Sequence, residues 1–60
     1  MYVDFKTAKI IAKSMAFRFG IAFINYDGEG YYVTSKSHNN TVGAVNKIGK
    51  FSLFYTKSLK

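Results

Sequence analysis

Sixty residues carry nine basic and three acidic side chains, a net charge of +6, with no cysteine and no proline. The missing cysteines exclude disulfides, thiolate nucleophiles and cysteine-type zinc sites, and the length holds the chain to one domain over residues 1–60. With 48% apolar and 18% aromatic residues, the composition also excludes a disordered basic tail.

The first predicted element is a helix over Asp4–Phe19. Asp4 is a suitable N-cap, no β-branched run interrupts the segment, and Gly20 stands where a C-terminal glycine ends a helix. At 100° per residue, Phe5, Ala8, Ile11, Ala12, Met15, Ala16 and Phe19 share one broad arc, the expected core stripe. Lys6, Lys9 and Lys13 gather on the far side. Ile10 and Phe17, seven residues apart, project there as well.

Two strands follow, Ile21–Tyr26 and Tyr31–Lys36, joined by the Asp27-Gly28-Glu29-Gly30 turn. Pairing Tyr26 with Tyr31 sets Ala22, Ile24, Tyr26, Tyr31 and Val33 on a face directed at the helix. Phe23, Asn25, Tyr32, Thr34 and Lys36 then share the opposite face. After a polar loop, Val42, Val45 and Ile48 recur at three-residue spacing, which predicts a short helix over residues 41–48. Gly43 weakens such a helix by ~1 kcal/mol, so a strand stands beside it as the other reading. The last segment, Lys50–Lys57, alternates as a strand. The expected fold is therefore α+β, an N-terminal helix on a three-stranded antiparallel sheet with a short second helix in the order α-β-β-α-β.

Catalytic constellations are missing from the sequence. His38 is the sole histidine, in a Ser-His-Asn-Asn loop, and three carboxylates do not supply a triad or a metal cage. Gly28-Glu29-Gly30 begins a dinucleotide-type pattern but lacks the third glycine and a following helix. The expectation is a non-enzymatic protein with no cofactor, no metal and no small-molecule substrate. Lys6, Lys9 and Lys13 break every early apolar run, so no signal peptide or membrane span is expected. The expected location is the cytoplasm, that of a host cell if the chain is virus-encoded.

Two groups of residues are candidates for binding. On the second sheet face, Phe23, Tyr32 and Phe54 lie among polar residues with Lys36 and Lys50, a pattern suited to stacking unpaired bases while lysines hold phosphates. Covered by the 41–48 helix, the same rings would be core instead. On the outer helix face, Ile10 and Phe17 flanked by Lys6 and Lys13 resemble an apolar anchor with a charged rim, fit for an acidic protein surface or a second copy. Eight of the nine basic residues are lysine, and lysine does not present the fork that reads guanine, so nucleic-acid contact would be led by the backbone. AT-rich coding would produce the same lysine excess without selection for binding. Small size, absent cysteines and absent catalytic groups look like an accessory protein of a phage or another mobile element. The functions expected are nucleic-acid binding, inhibition of a host enzyme, defence protein or toxin, or assembly as a structural homodimer.

Overall fold

The computed structural model describes residues 2–54. It is an α+β fold: helix α1 (Phe5–Phe19) packs on an antiparallel sheet of β1 (Ile21–Tyr26), β2 (Tyr31–Thr34), β3 (Thr41–Asn46) and β4 (Phe51–Leu53). The strand order is β2-β1-β3-β4. Asp4 caps α1, its Oδ1 accepting the Thr7 N–H at 2.8 Å. Gly20 ends the helix at φ +96°, a backbone conformation an L side chain resists, and donates its N–H to the Ala16 carbonyl at 2.7 Å.

The buried helix stripe is narrower than the arc predicts. Ala8, Ala12 and Ala16 are fully buried, whereas Ile11 is exposed and Phe19, beyond the sheet, is 66% exposed. Spacing of i, i+4, i+8 puts the three methyl groups in one line, and side chains this small bring the helix close to the strands. Ala22, Ile24 and Val45 meet them from β1 and β3. Full burial of Ile24 and of Val45 contributes about 1.5–3 kcal/mol each.

Residues 41–48 are not a short helix. Thr41–Asn46 is β3, so the sheet has a fourth strand where a helix was expected, and the three-residue spacing of Val42, Val45 and Ile48 has another cause. A register shift between Ile24 and Asn25 sets Gly43 opposite Ile24 but Thr41 opposite Asn25. Val42 is the extra residue of this bulge, and it hides the two-residue alternation that would announce a strand. Gly43 belongs in β3 for a steric reason: a Cβ there would overlap the Phe51 ring and approach the Ser52 carbonyl oxygen to 2.7 Å. Ile48 falls in the β3–β4 turn, where Asn46 Oδ1 accepts the N–H groups of Ile48 at 3.1 Å and Lys50 at 2.9 Å.

The first hairpin has the register that the Tyr26–Tyr31 pair sets, through Ile24↔Val33 to Phe23↔Thr34. β2 stops at Thr34, two residues short of the expected end, because the chain turns back there. β2 and β3 both run antiparallel to β1 and lie on either side of it, so they are parallel to each other. Residues 35–40 must therefore cross β1, on the face that α1 leaves free. Six residues reach about 20 Å, enough to step over one strand at ~4.8 Å spacing. The crossing is pinned by the Thr34 hydroxyl donating to the Lys36 carbonyl at 2.6 Å and the His38 N–H donating to Thr41 Oγ1 at 2.8 Å. Beneath it lies Asn25, fully buried although it points away from the helix. Its Nδ2 donates to Thr34 Oγ1 at 3.0 Å and to the Tyr32 carbonyl at 3.3 Å, and its Oδ1 accepts from the Thr41 hydroxyl. The expected strand residues Tyr55, Thr56 and Lys57 lie outside the described residues.

Candidate functional site

The carboxylates lie toward one end of the fold. The β1–β2 turn brings Asp27 and Glu29 to one end, and Asp4 joins them because Val3 pairs with Tyr31 through two backbone hydrogen bonds of 2.9 Å. The three acidic residues of the chain thus lie at the same end of the fold without converging on one point. Two of the three are engaged locally: Asp4 caps α1, and Asp27 accepts the Tyr2 hydroxyl and, at 3.0 Å, the Glu29 N–H. The Tyr2 hydroxyl holds the Asp27 carboxyl below its ordinary value, with help from the Glu29 N–H. The same bond, with some desolvation, pushes the Tyr2 hydroxyl up to about 12.

The Thr7 hydrogen bonds hold the Asp4 carboxyl below its ordinary value, Lys6 on the first turn of α1 adds to this, and the other cations lie farther along the fold. Arg18 ends α1, Lys36 follows β2, and Lys47 and Lys50 flank the β3–β4 turn, which the Ile21↔Asn46 pair places at the end opposite the carboxylates. Lys6, Lys9 and Lys13, at three- and four-residue spacing, run along one flank of α1 over roughly 10 Å. Lys9 Nζ lies 5.6 Å from the Phe5 ring centroid and 5.8 Å from that of Phe51. The Lys13 stem reaches Gly49, where a Cβ would meet its Cγ at 3.9 Å. The helix lysines therefore lead into the basic turn as one stripe, a continuity that depends on a tertiary contact and so has no signal in the sequence.

The structure does not unite the three rings expected on the second sheet face. Phe23 and Phe54 form an edge-to-face pair with centroids 6.1 Å apart. Tyr32 lies elsewhere, edge-to-face on Tyr2 at 5.8 Å, its hydroxyl accepting from Asn40 Nδ2 at 2.9 Å. The Asn25–Thr34–Thr41 network and the crossover separate the two pairs. The crossover, and not a 41–48 helix, is what covers part of this face. Lys36 and Lys50 are exposed, Lys36 following β2 and Lys50 preceding β4, the two edge strands of the sheet. Sequence reasoning missed Tyr2, which belongs to no predicted element, and Asn40, which resembled any other loop residue.

On the outer face of α1, Ile10 is 63% and Phe17 is 73% exposed, with Lys6 and Lys13 exposed beside them. Among the described residues no group of three or more His, Cys, Asp or Glu side chains converges, and no helix is long and apolar enough to cross a membrane. Comparison with family models, curated proteins and solved structures finds no match to this chain.

Proposed function

We propose that the chain binds nucleic acid, chiefly through phosphates held by the stripe Lys6–Lys9–Lys13 and the basic turn around Lys50. The observation that carries this reading is the run of Lys6, Lys9 and Lys13 along one flank of α1 into the basic turn at Gly49, while two of the three carboxylates are engaged by local hydrogen bonds. Lysine fields of this kind give affinity with little base discrimination. The half-buried Phe23–Phe54 pair offers ring surface to an unpaired base, and the exposed Lys36 and Lys50 on the edge strands' ends add positive charge. Tyr32, tied to Asn40, contributes less than either phenylalanine.

Fluorescence anisotropy with a labelled single strand and the matching duplex, titrated over a range of salt, tests the reading. Log affinity should fall linearly with log salt by about 0.7–0.9 per phosphate contacted, and replacing Lys6, Lys9 and Lys13 by Gln should flatten that slope. Phe54→Leu should weaken the single strand more than the duplex. A slope unchanged in the triple variant, or no binding at low salt, overturns it.

The exposure of Ile10 and Phe17 favours a second reading, in which this helix face docks on an acidic groove of a protein such as an enzyme, defence protein or toxin to be inhibited. A second copy fits less well, since a symmetric contact would set two Lys6 and two Lys13 against one another. Phe17→Ala should cost such a complex ~2 kcal/mol or more. Unchanged affinity for an isolated partner removes this reading, and a doubled mass in solution that Phe17→Ala abolishes would replace the acidic partner with a homodimer.

A further inference from the structure

Exposed apolar side chains collect at the end of the fold opposite the carboxylates. Phe19 closes α1 and Ile21 opens β1 on either side of Gly20, and both are exposed. The Ile21↔Asn46 pair sets the β3–β4 turn beside them, and that turn carries Ile48, 85% exposed. Arg18 precedes Phe19, its guanidinium 5.8 Å from the Phe19 ring centroid, while Lys47 and Lys50 bracket Ile48; all three cations are exposed. We infer that this tip seats on the surface of an anionic bilayer, with Phe19, Ile21 and Ile48 entering the boundary between headgroups and acyl chains and Arg18, Lys47 and Lys50 held at the lipid phosphates.

Charge favours this occupant. The three acidic side chains of the chain lie at the other end of the fold, so none of them repels anionic headgroups here. Each Lys or Arg near such a surface adds an attraction that apolar insertion alone lacks, and stable peripheral binding takes both. The turn is also ready to leave bulk water. Asn46 Oδ1 accepts the N–H groups of Ile48 and Lys50 at 3.1 and 2.9 Å, and the Asn46 carbonyl accepts that of Gly49 at 2.9 Å. With these donors paired inside the turn, Ile48 can enter an apolar layer without dragging bare backbone N–H groups behind it. Other occupants fit less well. A nucleic acid gives Ile21 and Ile48 nothing to pack on, since stacking needs an aromatic face. A second copy, tip to tip, would set Arg18 and Lys47 against their own counterparts.

Flotation with phosphatidylcholine vesicles containing about one-quarter phosphatidylserine should carry the protein into the lipid fraction, with binding to pure phosphatidylcholine weaker by about tenfold or more. Ile48→Ser and Phe19→Ser should each weaken binding to the anionic vesicles by about fivefold, and Arg18→Gln by a similar factor. Positions 18, 19 and 48 are exposed, and unshifted Ile24 and Val45 methyl signals in nuclear magnetic resonance spectra would report an intact core. Ile48→Trp gives the chain its sole tryptophan, whose emission should move to the blue on anionic vesicles and not with an oligonucleotide. Equal binding to the two kinds of vesicle, binding that both serine variants leave unchanged, or an unmoved tryptophan emission overturns the inference. A doubled mass in solution that Ile48→Ser abolishes would assign the tip to a second copy and overturn it as well. The serine variants remove no cation, and the salt dependence of oligonucleotide binding is read separately, so either proposal can fail while the other stands.

Discussion

The two faces of the sheet are closed by different physics. Against the helix, contact is made largely by small side chains, Ala8, Ala12 and Ala16 on α1 and Ala22 on β1, packed with Ile24 and Val45. On the other face, contact is made by hydrogen bonds: Thr34 and Thr41 bond to the buried Asn25 and in turn hold Lys36 and His38 of the crossover. The first closure is dense and intolerant of added atoms, since packed interiors have little room to adjust. The second is directional, and fails when one partner is removed and others are left unpaired in a dry site. A chain this short has few residues for a core, and it uses a network of amide and hydroxyl groups where a larger protein would lay a second helix.

The contrast can be broken most severely from the alanine side. Ala12→Leu, in the middle of the buried stripe, should cost about 3 kcal/mol in urea unfolding, because neither α1 nor β1 can move away without losing its other contacts. A smaller loss would mean that the helix rides more loosely than its three buried methyls imply. Asn25→Ala should cost about 2 kcal/mol by leaving Thr34 and Thr41 short of partners; hydrogen exchange should show the loss first in residues 35–41. Gly43→Ala should cost about 1–2 kcal/mol, the expense of displacing the Phe51 ring from its seat, with Phe51→Leu relieving part of it in a double-mutant cycle.

The smallest expected effect is electrostatic. Asp4 is held below its ordinary value by the hydroxyl and N–H of Thr7, as Asp27 is by Tyr2. A carboxylate with a depressed folded-state value contributes stability that is complete above the ordinary carboxylate range and is lost as pH falls through it. Tyr2 works in the opposite sense: its contribution is complete below the ordinary tyrosine value of 10.0 and is lost as pH rises from there toward about 12. One hydrogen bond underlies both limits for the Tyr2–Asp27 pair, so Asp27→Asn should flatten the acid and the alkaline limbs together. Both groups are exposed, so the change should remain small in a pH series of thermal unfolding.

Local signals in the sequence located α1 well. Asp4 and Gly20 are capping residues whose roles depend only on their neighbours, and each does in the structure what its chemistry suggests. The Tyr26↔Tyr31 register was legible for the same reason, since a short glycine-bearing turn fixes it. β3 was not legible: Val42 is a bulge residue, and Gly43 is explained only by Phe51, which arrives from eight residues downstream. The candidate surfaces divide in the same way. The outward direction of Ile10 and Phe17 follows from helix geometry, while the separation of Tyr32 from Phe23 and Phe54 depends on a crossover that no periodicity announces.

That crossover has a consequence for how the molecule holds itself together. It is the sole covalent tie between an αββ piece ending at Thr34 and a ββ piece beginning at Thr41. Severed within it, the two fragments would still present complementary edges, β1 on one and β3 on the other, but would have to meet by diffusion. Six connecting residues replace that bimolecular search with an effective concentration on the order of millimolar, and a split-protein reconstitution would measure how much of the fold depends on it.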